Sequence, residues 1–394
     1  MPAFPPLDGP LSPVASLYAH VPFCARKCAY CAFFSEPAGE ELVARYVAAL
    51  IRELDWVAPG FRPRTVFFGG GTPSLLSVRH WRRILEALER FGLLGAAEWT
   101  VETNPATVSI EKARLLRSFG VNRVSMGVQS FDDTLLDRLG RVHSRAAIFR
   151  SFGLLRRAGF TNINLDLMFG IPGQTLGAWR ATLAEAATLQ SEHLSCYEVI
   201  YEDDTPLFHQ LKAGGEPVDE ELNCAMYDAL LEAADQQGLQ QYEVANFARH
   251  RAKPGAEVPS LACQHNVNYW RGGSFHGLGP SATSYVDGVR TKTVSNTRHY
   301  CDALEAGRRA IEFREELSPR GRAGETAAFG LRMTAGWPFE LFRQVTGFDL
   351  RQGWRADLED LVRRGWGRMD EHRFQLTRQG LRFADAVAER LLRS

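Results

Sequence analysis

Residues 16–34 read SLYAHVPFCARKCAYCAFF, a short β-rich run followed at once by three cysteines at spacings of four and three. Cys24, Cys28 and Cys31 share one loop, and the next alternate position is Phe33 rather than a fourth thiol. A closed structural zinc site needs four ligands, usually as two separated pairs, so this spacing would need a fourth ligand such as His20 or Cys263. A reactive or redox thiol needs only one or two cysteines. Three thiolates in one loop can hold three irons of a [4Fe–4S] cluster and leave the fourth iron open to an exchangeable ligand. Buried structural cysteines, zinc and a cluster are the readings to separate.

The same stretch opens a repeated pattern. Runs of β character at SLYAHV (16–21), TVFFG (65–69), WTVET (99–103), RVSMG (123–127), INLDLMF (163–169) and LSCYEVI (194–200) alternate with helical patterns at 40–57, 78–91, 109–120 and 145–159. Six β–α units imply a parallel sheet covered by helices, either an open doubly wound sheet or a partial barrel. The unusual residues all follow strands: CARKCAYC the first, GGGTP (69–73) the second and ETNP (102–105) the third. GVQSF (127–131), GIPGQT (170–175) and YEDDTP (201–206) follow the other three. Both architectures build their sites at these carboxyl ends. Gly69, Gly70 and Gly71 let backbone approach a ligand closely. Glu102, Gln129, Arg141 and Asp166 are strand-end or loop polar residues, which need partners wherever they are buried.

Composition narrows the class. The chain has 394 residues, 45% of them hydrophobic, enough for two or three domains. With 46 basic and 46 acidic residues and no Lys or Arg runs, it shows no general affinity for nucleic acid or an acidic membrane. No apolar run reaches the roughly 18 to 20 residues of a membrane span. The Pro-rich start, residues 1–15, lacks a basic segment followed by an apolar one and reads as a loose tail, so a cytoplasmic protein is expected. Seven cysteines, an odd number, argue against a disulfide framework, and Cys196, Cys224, Cys263 and Cys301 read as small buried hydrophobes.

Past the barrel segment, 16–215, a helical and lid segment is expected over 216–310. Within it, 249–263 reads as a surface insertion. The aromatic and Gly-rich QHNVNYWRGGSFHGLGPSATSY (264–285) is expected over the mouth of the sheet. Residues 311–394 suggest helix, helix, β wing and final helix, an α+β module of winged-helix type. Its 15 Arg and no Lys against 13 Asp and Glu make it less basic than a DNA-binding module, which favours an internal or partner-docking role.

C-x-x-x-C-x-x-C after the first strand, with GGGTP after the second, resembles the radical S-adenosylmethionine (SAM) enzymes. The resemblance implies an α/β fold, a partial (βα)6 barrel, with Cys24, Cys28 and Cys31 on a [4Fe–4S] cluster and SAM on its open iron. It also implies Gly70, Gly71 and Thr72 as contacts to SAM's methionine part and Tyr18 and Tyr30 as SAM-contacting aromatics. Glu102, Gln129, Arg141, Asp166, Ile200 and Thr283 complete the expected cofactor site. Within that superfamily, VFFGGGTPSLL, VETNP, RVSMGVQSFDDTLLDRLGRVHS, NLDLMFGIPGQT and LSCYEVIYEDDTPL are similar to the oxygen-independent coproporphyrinogen III dehydrogenase group, and FGLRMTAG and LTRQGLRFAD extend the match toward the end.

Dehydrogenases of that group carry a further cysteine two residues after the third, where this chain has Phe33. HNVNYW (265–270) resembles the H-N-x-x-Y-W signature of the haem-chaperone branch. That branch implies binding of haem and its delivery to haem-accepting apoproteins such as respiratory enzymes. His265 is then the expected ligand of haem iron, because neutral imidazole binds iron strongly, with Tyr269 and Trp270 on the porphyrin face. Cys263 is a competing ligand. The alternative is a radical SAM enzyme, either the dehydrogenase, against which Phe33 and the short stretch before the first strand count, or a class-C-type methyltransferase. Homodimer formation stays open.

Overall fold

The computed structural model describes residues 14–215, 218–249 and 256–393. Most of the expected tail and residues 250–255 of the expected insertion lie outside them. The six β-rich runs become β1 (Ser16–Val21), β2 (Thr65–Gly70), β3 (Glu98–Thr103), β4 (Arg123–Gln129), β5 (Ile163–Phe169) and β6 (His193–Glu198). They run parallel and neighbour one another in chain order, the partial barrel of six β–α units expected from the sequence.

Alternate side chains of a strand point to opposite faces, and here the two faces differ in chemistry. Leu17, Val66, Phe68, Val101, Val124, Met126 and Leu165 are fully buried outward against helices. Tyr18, Glu102, Arg123, Ser125, Asp166 and Ser195 occupy the other parity and line an interior cavity. The helices are α1 (Glu40–Val57), α2 (Val78–Arg90), α3 (Ile110–Ser118), α4 (Asp133–Arg138), α5 (Arg145–Arg157) and α6 (Leu176–Leu189). On α1, Leu42, Tyr46, Leu50 and Leu54 recur at helical spacing as one buried stripe. Ser77, Ser109, Asp132 and Thr175 accept first-turn N–H groups of α2, α3, α4 and α6, which pins where each strand-end loop turns into helix.

The sheet then grows at both edges. After α7 (Pro206–Lys212) and α8 (Glu220–Gln236), β8 (Asn246–Ala248) pairs antiparallel with β6, and β7 (Gln240–Gln241) pairs antiparallel with β8 at the edge. After α9 (Gln264–Trp270), β9 (Phe275–Leu278) pairs parallel with β1. Antiparallel β10 (Thr283–Val286), β11 (Val289–Thr293) and β12 (Ile311–Glu316) follow, with α10 (Thr297–Glu305) packed on α1, in one twelve-stranded sheet. The strand at 311–316 therefore belongs to the large sheet. A smaller unit follows with α11 (Pro319–Gly330), further helices and a three-stranded antiparallel sheet around Trp337, Phe342, Trp354, Leu361 and Phe374. Among the described residues no helix is long and apolar enough to cross a membrane.

The HNVNYW helix, α9, lies at the amino ends of the strands and not over their carboxyl ends. Glu98, the first residue of β3, accepts the backbone N–H groups of Gln264 and His265 at 2.9 and 3.0 Å. A carboxylate at a helix N-terminus satisfies donors that have no partner within the helix, and this fastens α9 to the barrel floor.

Candidate cluster and cofactor site

The three clustered cysteines sit in the loop after β1, each partly exposed. The loop is stitched to the end of β2: Gly71 N–H donates to Val21 O and Thr72 N–H to Phe23 O, both at 2.8 Å. Gly71 is required there, because a Cβ would stand 2.7 Å from Val21 O and 2.8 Å from Phe23 O. Thr72 Oγ1 lies 3.4 Å from Cys24 Sγ, and Arg141 Nη1 donates to Cys28 Sγ at 3.5 Å. Burial pushes the Cys31 thiol up, a cost that metal removes by replacing the proton. Among the described residues no three side chains converge as ligands of one metal ion. A cubane cluster does not need that convergence, since each thiolate binds a different iron. The donor set fits such a cluster.

Beside the loop the barrel encloses a cavity of about 490 Å³. One side is aromatic, with Tyr18, Phe67, Tyr269 and Phe275; the other is polar, with Glu102, Arg123, Ser125, Asn164, Asp166 and Ser195. Gly70, with φ +101°, takes the left-handed conformation, and its N–H donates to Glu102 Oε2 at 3.1 Å. Burial, then repulsion from Asp166, raises Glu102 to about 8. Asp166 is also raised by burial, while Ser125 Oγ and Asn164 Nδ2 each donate to it at 2.8 Å and pull it back. A cationic group of a ligand would find two carboxyls here.

At the floor, His265 is 1% exposed and bonded through both ring nitrogens. Thr65 Oγ1 donates to Ser16 Oγ at 2.7 Å, so it accepts from His265 Nδ1 at 2.8 Å; Nε2 then accepts from Tyr269 OH at 2.7 Å. Burial, with Arg123 nearby, lowers His265 to about 3 and keeps it neutral. Cys263 is fully buried, its Sγ 3.5 Å from Glu98 Oε1, and burial pushes its thiol up to about 12. Neither side chain offers a free ligand atom in this arrangement.

Comparison with known proteins fits this geometry. Residues 18–186 match the radical SAM superfamily model and 317–383 the HemN C-terminal domain model. The chain is 35% identical over 373 residues to the heme chaperone HemW of Bacillus subtilis, covering 93% of this chain and 96% of that protein. The chain belongs to the HemW family. The Escherichia coli HemW is 34% identical, with 96% and 98% covered. The structure of coproporphyrinogen III oxidase (HemN) from Escherichia coli superposes with a TM-score of 0.81 at 22% identity, covering 98% of this chain and 91% of that one, a likeness of fold.

As a radical SAM protein of the HemW family, the chain has a [4Fe–4S] cluster and SAM as its cofactors. Of the residues expected to hold them, Tyr18, Gly70, Glu102, Asp166 and Thr283 line the barrel cavity, and His265 closes its floor. Arg141 and Gln129 stand beside it at Gly127, where Arg141 Nη2 donates to Gly127 O at 2.8 Å. Gln129 holds a left-handed φ of +60°, and its buried Oε1 has no hydrogen-bond partner among the described residues. Tyr30 packs with Leu135, Leu139 and Met168 beneath the cysteine loop, and Ile200 is 65% exposed. Arg123, Ser125, Asn164 and Ser195 were not singled out from sequence, although alternation along β4, β5 and β6 puts them on the cavity face.

Proposed function

We propose that the chain is a haem carrier. It binds haem and delivers it in the cytoplasm to haem-requiring apoproteins, respiratory enzymes among them, around a radical SAM core. The observation that carries this reading is the likeness to a haem chaperone along nearly the whole chain, 93% of it, rather than through the barrel alone. Phe33, 68% exposed at the cavity rim, supports it, because it supplies no further thiol beside the cluster loop.

In this reading Cys24, Cys28 and Cys31 hold the cluster, whose chemistry when bound is one-electron cleavage of SAM's sulfur–carbon bond. Thr72 and Arg141 orient two of the thiolates, and Gly71 keeps the loop against β2. Glu102 takes the ammonium group of SAM, which restores its ionised form. Tyr18, Tyr30, Gln129, Asp166, Ile200 and Thr283 are further proposed contacts. His265 ligates haem iron only if Tyr269 withdraws from its Nε2.

The test is anaerobic reconstitution of the cluster, followed by haem and coproporphyrinogen in separate samples. The expected result is a stable haem spectrum, transfer of that haem to a haem-free apoprotein, and no oxidised porphyrin. Oxidised porphyrin without haem binding would turn the reading to the dehydrogenase. Gel filtration of the same sample reports whether the 44.0 kDa chain is a homodimer.

A further inference from the structure

Arg123, on the inward face of β4, is 2% exposed and lines the barrel cavity. Its Nη1 reaches Thr100 Oγ1 at 3.5 Å, and among the described residues Nε and Nη2 have no hydrogen-bond partner. The carboxylates around it are engaged elsewhere. Glu98 accepts the N–H groups of Gln264 and His265, and Asp166 accepts from Ser125 Oγ and Asn164 Nδ2. Among the described residues none of them forms an ion pair with Arg123. A guanidinium keeps its charge at any physiological pH, and burying that charge without a bonded anion is costly.

Strand register fixes the depth of this charge. Arg123 stands beside Thr100, and Ser125 beside Glu102. Arg123 therefore lies one inward-facing position, roughly 7 Å, nearer the floor than Glu102. The cavity carries carboxyls, Glu102 and Asp166, toward its mouth and a guanidinium toward its floor. Asn266, the second residue of HNVNYW, lines the same cavity, and its side-chain amide has no hydrogen-bond partner among the described residues. The facing wall is aromatic, with the Tyr269 and Phe275 rings 4.4 Å apart.

We propose that Arg123 anchors the carboxylate of a second small organic ligand, held below the Glu102 layer with an apolar or aromatic body against Phe67, Tyr269 and Phe275. The proposal rests on the reading of the mouth as the SAM site and adds a ligand to it. SAM does not reach both charges. Its one carboxylate and its ammonium share a carbon, so with the ammonium at Glu102 the carboxylate stays in that upper layer. Nε and Nη2 form one edge of the guanidinium, two parallel N–H donors of the kind a carboxylate bridges. A single guanidinium with Glu98 and Asp166 nearby suits one negative charge, whereas a phosphate dianion would be repelled by those carboxylates. The aromatic wall suits a flat apolar body better than a sugar.

The test titrates benzoate, phenylacetate and phenylpropionate, each beside its neutral amide, into the full-length protein with its cluster reconstituted and SAM bound. Calorimetry is expected to show at least one acid binding roughly tenfold or more tighter than its amide, with SAM retained. Arg123→Gln should weaken that acid by roughly tenfold and erase its advantage over the amide, while Arg123→Lys keeps part of both. The comparison of acid with amide on the parent protein needs no variant, so it decides the matter even if both variants fail to fold. Equal binding of acid and amide, parent-like affinity in Arg123→Gln, displacement of SAM by the acid, or no binding of any probe would overturn the second ligand and leave the SAM reading standing. No SAM binding by the parent protein would overturn both.

Discussion

The backbone N–H of Gly70 donates to the carboxyl of Glu102 at 3.1 Å, joining the ends of β2 and β3 at the cavity rim. That single bond does not offset burial and the neighbouring Asp166, and Glu102 stays at about 8. At pH 7 the free protein therefore holds Glu102 mostly protonated. An arriving ammonium group favours the carboxylate and drives the proton off. SAM binding should then release a proton at pH 7, tighten as pH rises toward about 8, and level off above it. Calorimetry in buffers of different ionisation enthalpy measures the release. Glu102→Gln should bind more weakly and release none; a parent protein that releases no proton at pH 7 would sink the assignment.

Gly71 ties the end of β2 to the cysteine loop. A side chain there has no room between Val21 O and Phe23 O, and both carbonyls belong to the chain leading into Cys24. Gly71→Val should therefore lower iron and sulfide content together with SAM affinity, whereas a site serving SAM alone would lose only the second. Iron analysis beside calorimetry separates these outcomes.

Removal of any one of Cys24, Cys28 or Cys31 as Ala should abolish most of the broad iron–thiolate absorption near 400 nm (roughly, as a property of such clusters). Four irons retained per chain in all three variants would rule out the cysteine assignment.

The barrel was legible because each strand carries its alternation within six or seven residues. In INLDLMF, apolar positions at Ile163, Leu165 and Leu167 pack outward while Asn164 and Asp166 face the cavity. That Cys24, Cys28 and Cys31 share one loop after β1 was legible from their spacing. The place of HNVNYW was not, because it depends on Glu98, 167 residues away in sequence from the His265 N–H it accepts.

Arg271 joins the far end of α9 to the C-terminal unit. Its guanidinium donates to Gly336 O at 2.8 Å, pairs with Glu257 at 2.7 Å and lies 4.6 Å from the Trp337 ring, with 3% of the side chain exposed. Arg271→Ala leaves a buried carbonyl unsatisfied and an anion without its partner. Loss of about 2 to 4 kcal/mol of unfolding free energy is expected, measured by urea denaturation. A loss below about 0.5 kcal/mol, the scale of a surface change, would show that this contact does not hold the two units together.

His265 and Tyr269 provide the last separation. Tyr269 OH donates to His265 Nε2 at 2.7 Å, and Thr65 takes the proton on Nδ1, so the ring holds α9 to β2. If this is its role, His265→Ala should cost about 1 to 3 kcal/mol of stability, because Tyr269 and Thr65 each lose a buried partner. Tyr269→Phe should cost less and leave the haem band as in the parent. The motif reading, with His265 on haem iron, requires the reverse. Removing the Tyr269 hydroxyl would then free Nε2 and strengthen haem binding, since the competing bond no longer has to break. Haem titration of Tyr269→Phe beside a thermal melt distinguishes the two, and tighter haem binding in that variant would return the iron to His265.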